Sequence, residues 1–376
     1  AMDEQLSPPL WIDTTTAVTN LAEKLEHNSR IAIDTESNSL HAYQEQVCLI
    51  QFSIPGTDFL VDPLKIKDLK ALAQIFSSPA TEKIFHASEY DIICLKRDHH
   101  FEFANIFDTM IAARVLGVRE IGLNSLLQQE FGVELDKKYQ KANWAKRPLP
   151  AEYLSYARMD THYLIQLRDV LADRLVKANL LTLAEEEFQR MTRVEPSAPE
   201  PIEKELWRVK GARDLNHRQL AILLELLRWR EDTARRLNRP PFKIISSDQL
   251  VQIAQTDPLG ADALKDRLRL SKFQMDRYAA EILRAVTAGK NASPVRHPQI
   301  ERMDHAMRGR VDRLKTFRKN AAAKMQVESD IILPREVLYD LALSPPQDWE
   351  AFLQRMALYP WRLEHFGREI FHAIQT

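Results

Sequence analysis

A short apolar run at residues 30–36 constrains the fold more than any other stretch of this chain. It reads Arg-Ile-Ala-Ile-Asp-Thr-Glu, which is typical of a buried strand, and it ends on two carboxylates, Asp34 and Glu36. Because side chains alternate faces along a strand, both carboxylates point to the same side. Buried acids side by side repel each other unless a cation lies between them. The pattern fits a Mg2+ or Mn2+ site with oxygen ligands, but a solvated turn can also carry Asp-x-Glu, so this pair indicates a metal site only if further carboxylates join it.

Two further acids are expected on helices. Residues 83–86 read as a short strand that passes into a helix, which puts Asp91 in the first helical turn. A carboxylate there is favoured by the helix dipole whatever its function. Pro150 opens another helix, on which Tyr156 and Asp160 lie one turn apart and share a face. That arrangement is also common on ordinary polar surfaces. Each acid therefore indicates a metal site only if the other acids lie close to it.

Taken together, Asp34, Glu36, Asp91 and Asp160 suit a pair of divalent metal ions. Two such ions about 4 Å apart can activate a water molecule and stabilise the departing oxygen of a phosphodiester. Four carboxylates offset most of the charge of the two ions. Tyr156 is placed to orient the attacking water. The hypothesis from the residues is therefore phosphodiester hydrolysis.

The order of strand and helix patterns predicts a mixed α/β domain followed by helices. Residues 14–27 have helical spacing and lead into the acidic strand, and the β-type runs at 47–53 and 58–62 flank Pro55-Gly56, which is a hairpin signal. The predicted boundaries are an N-terminal tail at 1–10, an α/β domain at 11–195, a Pro-rich linker at 196–201, a helical domain at 202–289, a linker at 290–300, and a second helical domain with related features at 301–376.

The distribution of charge points to a polyanionic partner more than the total does. The formal net charge is -1, yet residues 204–245 and 302–324 each carry a local net charge of +6. Such basic helices fit phosphate contacts with nucleic acid, although solvated helix faces give the same count. The two Cys lie in apolar runs, and no apolar run is long enough to span a bilayer. We therefore expect a reducing, cytoplasmic location and no membrane insertion.

Three segments of the chain resemble the exonuclease motifs of the DEDD superfamily in its tyrosine-bearing branch. They are Asp34-Thr-Glu36, His86-Ala-Ser-Glu-Tyr-Asp91 and Tyr156-Ala-Arg-Met-Asp160, in the expected order and spacing. The stretch 140–149, with the residues around Tyr156 that follow it, resembles the ribonuclease D family. Each motif alone is weak, whereas all three within one domain are specific.

The C-terminal half resembles the same family. Residues 215–231, 239–242 and 249–254 are similar to the helicase-and-RNase-D C-terminal (HRDC) domain, and 301–376 looks like a diverged second copy. The resemblance thus covers nearly the whole chain. It implies an RNase H-like mixed sheet flanked by helices, followed by two small all-α domains.

The resemblance also implies residue roles and substrates. Asp34 would bridge two metal ions, Glu36 and Asp160 would complete the site of the ion that activates water, and Asp91 would support the second. Tyr156 would hydrogen-bond the nucleophilic water. The implied reaction is hydrolysis from a 3′ end to 5′-mononucleotides. The implied substrates are single-stranded RNA 3′ ends and tRNA precursors, and we expect the protein to act as a monomer.

Four residues are candidates for binding the substrate. His86 is expected near the metal site without an assigned step, and Leu40 is either a wedge for the last base or a core residue. Trp144 and Arg147 belong to the loop 135–149, which mixes basic and aromatic residues. Such a loop either meets a nucleic-acid strand or is packed by its own Trp. The stretch 37–46 departs from the more aromatic or basic sequence of the family, which puts contacts to the terminal base in doubt.

Two alternative functions remain at this point. A metal pair does not by itself distinguish the sugars, so a 3′-5′ DNA exonuclease has the same chemistry. A nucleic-acid-binding scaffold with an inactive exonuclease fold is the other alternative, and the presence of all four acids and Tyr156 speaks against it. A free 3′ tail is favoured over a duplex end, because a duplex must be unstacked at a few kcal/mol before its last phosphodiester reaches a buried site.

Overall fold

The computed structural model describes residues 6–257, 263–265, 270–298 and 303–375. The N-terminal half forms a six-stranded mixed sheet in the spatial order β1-β4-β3-β2-β5-β6. The strands are β1 (Leu10–Ile12), β2 (Arg30–Ser37), β3 (Val47–Ile54), β4 (Thr57–Val61), β5 (Glu82–Phe85) and β6 (Ile106–Asp108). This mixed sheet with flanking helices is the predicted fold class.

The acidic strand β2 lies in the interior of the sheet. It pairs antiparallel with β3 and parallel with β5, so that Asp34 lies opposite Gln51 and Glu36 opposite Leu49. The register between β2 and β3 shifts after Glu36. Because its backbone is bonded on both sides, β2 holds its two acids on a rigid support. The predicted hairpin is confirmed, since β3 and β4 pair antiparallel.

Helices cover the sheet. They are α1 (Thr15–Glu26), α2 (Lys70–Ser77), α3 (Glu89–His99), α4 (Thr109–Val115), α5 (Leu123–Phe131), α6 (Ala151–His162), α7 (Leu164–Lys177) and α8 (Leu181–Thr192). Their apolar faces join the strands in one large core, to which α1 contributes Val18, Leu21 and Leu25 at helical spacing. The side chain of Thr14 caps α1 by accepting from the backbone N–H of Ala17.

Most of the remaining described chain is helical. It contains α9 (Ile202–Leu206), α10 (His217–Leu237), α11 (Ser247–Thr256), α12 (Lys272–Asn291), α13 (His305–Met325), α14 (Ser329–Ile332), α15 (Arg335–Leu343), α16 (Trp349–Arg355) and α17 (Pro360–Gln375), with short 3-10 turns at Ala212–Asp214 and Pro241–Lys243. The helices α10 and α12 pass very close together at Gly289, where an added Cβ would lie 2.4 Å from the Cα of Ile222. Only glycine allows that approach.

The described residues group into two compact units. The first includes those among 1–37, 47–196 and 302–376, and the second includes those among 38–46 and 197–301. Within the first unit, the last helical region packs on α8 through Arg362, which is fully buried and ion-paired with Glu186 and Glu187. The sheet and the last helical region therefore form one body.

The structure adds two details to the predicted boundaries. Strand β1 already begins at Leu10, the last residue of the predicted tail, and the segment 38–46 groups with the second unit instead of with the sheet. The boundary at 300/301 lies outside the described residues. The domain limits as a set stay predictions. Within the described ranges, every helix is too short or too polar to cross a membrane.

Candidate active site

Three of the predicted acids meet at one place. Asp34 and Glu36 come from β2 and Asp160 from α6, and each offers a carboxylate oxygen within 4.8 Å of the other two. All three side chains are half-buried. The helix α6 packs across β2, β3 and β4, which brings a residue far along the chain onto the acidic strand. Three converging carboxylates form a compact set of oxygen ligands for a divalent ion.

The fourth acid, Asp91, lies beside this cluster in the first turn of α3. It is 6% exposed, and its Oδ1 accepts a hydrogen bond from the hydroxyl of Thr35, the residue between the two acids of β2. Asp34 in turn accepts a bond of 3.3 Å from the side-chain amide of Gln51 on β3. Thr35 and Gln51 were not among the site residues predicted from the sequence. Thr35 lies between the two acids of β2, and Gln51 belongs to the next β-type run, which pairs with β2. These positions in the sequence could have identified both residues as neighbours of the acids.

Burial and mutual repulsion raise the pKa values of all four acids. Burial, followed by repulsion from Asp160, raises the pKa of Asp34 well above its usual value, and burial, then Asp34, does the same for Glu36. Burial, then Asp34, raises the pKa of Asp91 well above its usual value. Burial and Asp91 raise the pKa of Asp160 to about 7. Such an arrangement favours a bound cation, because a cation stabilises the ionised carboxylates.

Tyr156 stands next to these acids on α6, one turn before Asp160. Burial, and then the charges of Asp160, Glu36 and Asp34, raise the pKa of its phenol. The phenol therefore keeps its proton near neutral pH and can donate a hydrogen bond. The ring lies 6.0 Å from the ring of Trp144 in a stacked arrangement and 5.8 Å from that of Tyr139, edge to face.

The segment that carries His86 and leads to Asp91 is held by Asp108. The Asp108 carboxylate accepts bonds from the backbone N–H of Ala87 (3.2 Å) and Ser88 (2.7 Å). It also caps α4. Ala87 has a positive φ of 62°, a strained conformation for a residue with a side chain, and these bonds stabilise it. The start of α3 is thereby fixed to the end of β6.

The structure corrects two of the substrate-binding predictions. Trp144 is 1% exposed and packs among Tyr139, Tyr153 and Tyr156, so it has no face free for a base. The guanidinium of Arg147 bonds both oxygens of Asp62 and three backbone carbonyls, which uses all five of its N–H groups. Of the two interpretations of this loop, the one packed by its own Trp is the one observed.

The other two candidates remain predictions. His86 is half-buried, and its Nδ1 lies 2.9 Å from the hydroxyl of Thr109. Burial lowers its pKa, which keeps the ring neutral. Leu40 belongs to the segment 38–46 and is 39% exposed, so it is not a fully buried core residue.

Comparison with known proteins agrees with this geometry. A family model described as a 3'-5' exonuclease matches residues 9–176, and one described as the HRDC domain matches 219–286 and 307–374. The ribonuclease D of Desulfotalea psychrophila is 30% identical over 77% of this chain and 78% of its own length. The exosome complex exonuclease RRP6 of Saccharomyces cerevisiae is 31% identical over 74% of this chain, but only 40% of its own length is covered.

A solved structure of similar fold spans almost the whole chain. The RNase D of Escherichia coli, described as an exoribonuclease involved in structured RNA processing, matches with a TM-score of 0.68 and 24% identity, over 96% of this chain and 100% of its own. The matching family models identify a 3′-5′ exonuclease domain followed by HRDC domains. The chain belongs to the ribonuclease D family of 3′-5′ exoribonucleases.

Proposed function

We propose that the protein removes nucleotides from the 3′ ends of single-stranded RNA with the help of two divalent ions, Mg2+ or Mn2+. The observation that carries the proposal is the convergence of Asp34, Glu36 and Asp160 within 4.8 Å. The raised pKa values of these acids support it, since a cluster that resists ionisation on its own is completed by cations. Asp34, Glu36 and Asp160 would hold one ion, and Asp34 with Asp91 the other.

The chemistry that such ions supply is activation of a water molecule and stabilisation of the charge on the departing oxygen. The residues of the chain perform the remaining tasks. The phenol of Tyr156 stays protonated because its pKa is raised, and it donates a hydrogen bond to the attacking water. Thr35 orients Asp91 through its hydroxyl, and Gln51 does the same for Asp34.

His86 is proposed to contact the sugar of the terminal nucleotide. The hydroxyl of Thr109 donates to the backbone carbonyl of Phe85 at 3.1 Å, so its oxygen is left to accept from Nδ1–H of His86. A neutral ring with its proton on Nδ1 presents Nε2 as an acceptor for a ribose hydroxyl. Deoxyribose lacks the 2′-hydroxyl, and this contact would therefore favour RNA.

The biological substrates follow from the relatives as a further proposal. We propose RNA with a single-stranded 3′ extension, including tRNA precursors, because a free tail enters without unstacking. Cys48 and Cys94 are buried and form no disulfide, which fits a protein that acts in the reducing cytoplasm. We expect it to act as a monomer.

The test compares matched single-stranded RNA and DNA with a 3′ label, in Mg2+ and in Mn2+. We expect stepwise loss of 5′-mononucleotides from RNA, at least about tenfold faster than from DNA, which corresponds to about 1.4 kcal/mol for one lost hydrogen bond to the sugar. Equal or faster loss of DNA would favour the DNA exonuclease alternative.

A variant identifies the site. Asp34→Asn should abolish hydrolysis and leave RNA affinity near wild type, and Asp173→Asn, at an exposed acid on α7, serves as the matched control. If Asp34→Asn still cuts RNA, the acid cluster is not the active site. If the wild type itself only binds RNA, the inactive-scaffold alternative holds.

A further inference from the structure

The side chain of Arg147 attaches the loop that carries Trp144 to the sheet. Its guanidinium bonds the carboxylate of Asp62 twice, at 2.7 Å each, and the carbonyl of Cys48 at 2.7 Å. It also bonds the carbonyl of Trp144 itself, again at 2.7 Å. Cys48 is the second residue of β3 and Asp62 directly follows β4, so Arg147 joins the loop to two neighbouring strands.

This attachment is rigid because its partners are buried. The side chain of Asp62 is 1% exposed and that of Arg147 is 25% exposed. A two-point bond between a guanidinium and a carboxylate fixes orientation as well as distance. The backbone of Trp144 is therefore held in one place relative to the sheet.

The indole of Trp144 is in turn packed against the residue that faces the acids. Its ring is stacked 6.0 Å from that of Tyr156, and Tyr153 lies 5.4 Å from Trp144 on another side. The ring of Tyr139 packs edge to face against that of Tyr156, with the ring centres 5.8 Å apart. A tyrosine ring has two rotatable side-chain bonds, and these neighbours restrict both. The hydroxyl lies beside the carboxylates of Asp34, Glu36 and Asp160, so its direction depends on how the ring is packed.

We propose that Trp144, fixed by the Arg147–Asp62 pair, is a positioning residue that keeps the hydroxyl of Tyr156 directed at the acid cluster. The inference rests on the proposed function, in which Tyr156 orients the attacking water. Trp144 and Arg147 then influence the reaction only through Tyr156 and do not touch the substrate. Their effect should appear in the rate of the chemical step and not in RNA binding.

The test is a double-mutant cycle on the full chain. Single-turnover rates on a short single-stranded RNA with Mn2+ are measured for the wild type, Trp144→Leu, Tyr156→Phe and the double variant. A misplaced catalytic group costs up to about a hundredfold in rate, so we expect Trp144→Leu to slow the step about tenfold or more, with KM changed less than about threefold. In the Tyr156→Phe background, the same substitution should slow the step less than about twofold, because the hydroxyl that it positions is already gone.

Two further variants and a control complete the design. Trp144→Phe should restore most of the rate, since a smaller ring still packs against Tyr156. Arg147→Lys should act like Trp144→Leu, and it serves for the cycle if the latter does not fold. Trp361→Leu is the control, because this buried indole contacts His365 and Phe366 instead of Tyr156. It should leave the single-turnover rate of folded protein unchanged.

The outcomes separate the two proposals. If Tyr156→Phe is as fast as the wild type, the role of Tyr156 in the proposed function is wrong, and the positioning role falls with it. If Tyr156→Phe is slow but Trp144→Leu slows both backgrounds equally, the proposed function stands and the positioning role is refuted. The same holds if Trp144→Leu mainly raises KM.

Discussion

Replacing Asp160 by Asn should make the metal-free protein more stable, by an amount that grows with pH. In the folded protein, burial and Asp91 raise the pKa of Asp160 to about 7, against 3.8 for an ordinary aspartate. An acid whose pKa is raised by folding contributes stability that is fully present below the unfolded pKa and is lost as the pH rises towards the folded value. Asn has no charge, so the variant does not undergo this loss.

The expected magnitude follows from the size of the shift. Over about three pH units the folded protein keeps a proton that the unfolded chain has released, and each unit lowers the free energy of unfolding by about 1.4 kcal/mol. The full difference would be about 4 kcal/mol. Since Asp160 is only half-buried, we expect about 2 to 4 kcal/mol at pH 7.5 and close to zero at pH 4.

The assay is urea unfolding of both proteins in EDTA at several values between pH 4 and 8, with Asp173→Asn as the control. The stability of Asp173→Asn should follow the wild type at every pH. Addition of Mn2+ at pH 7.5 should stabilise the wild type strongly and Asp160→Asn weakly, because one ligand is missing. A variant that is less stable than the wild type at pH 7.5 without metal, or a difference that does not change with pH, would falsify the view of a mutually repelling cluster.

Two other predictions concern the support of the site. Arg362→Met should lower the free energy of unfolding by about 3 to 5 kcal/mol in urea, because it leaves the buried Glu186 without its ion-pair partner and Glu187 with Arg190 alone. Adding Glu186→Gln to this variant should recover part of that loss. Asp108→Asn should cost about 1 to 3 kcal/mol by weakening the bonds to the backbone around Ala87, and should reduce the rate of RNA hydrolysis measured at saturating metal. A normal rate would show that the position of Asp91 does not depend on the hydrogen bonds between Asp108 and the backbone of Ala87 and Ser88.

Local patterns in the sequence were sufficient for the strand that carries Asp34 and Glu36. Their spacing of two residues, in an apolar run, places both on one face of a strand in any sheet. The hairpin of β3 and β4 was also predictable, because Pro55-Gly56 separates two β-type runs. The edge strand β1 was missed, since three apolar residues are too few to give a periodic signal.

The roles of Trp144 and Arg147 depended on partners far along the chain. Arg147 bonds Asp62, 85 residues earlier, and nothing in the loop itself indicates that partner. A basic and aromatic composition is shared by loops that bind nucleic acid and loops that anchor themselves. The two kinds of loop differ in how many N–H groups of the guanidinium remain free to bind a phosphate. That number is known only when the contacts of the side chain within the protein are known.

The count of Lys and Arg in the sequence overestimated the basic surface of the last helical region, because partners distant in the sequence use some of these side chains. In the stretch 302–324, Arg310 donates to the backbone carbonyl of Ala342 and Arg313 to that of Ala373. These guanidinium groups stabilise the ends of neighbouring helices. Part of the local charge of +6 therefore serves the packing of the domain, and RNA affinity should depend on fewer residues than the sequence suggests.

The cost of bringing four acids together is offset by the scaffold before any ion binds. The strand β2 is bonded on both sides, Asp108 fixes the turn before α3, and Arg147 fixes the loop that packs on α6. Each acid is thus held by an element that cannot relax away from the others without breaking buried hydrogen bonds. A metal ion bound there would gain the full benefit of relieved repulsion, and none of its binding energy would be needed to assemble the site. Loosening any one of these supports should weaken metal binding even where every acid is retained.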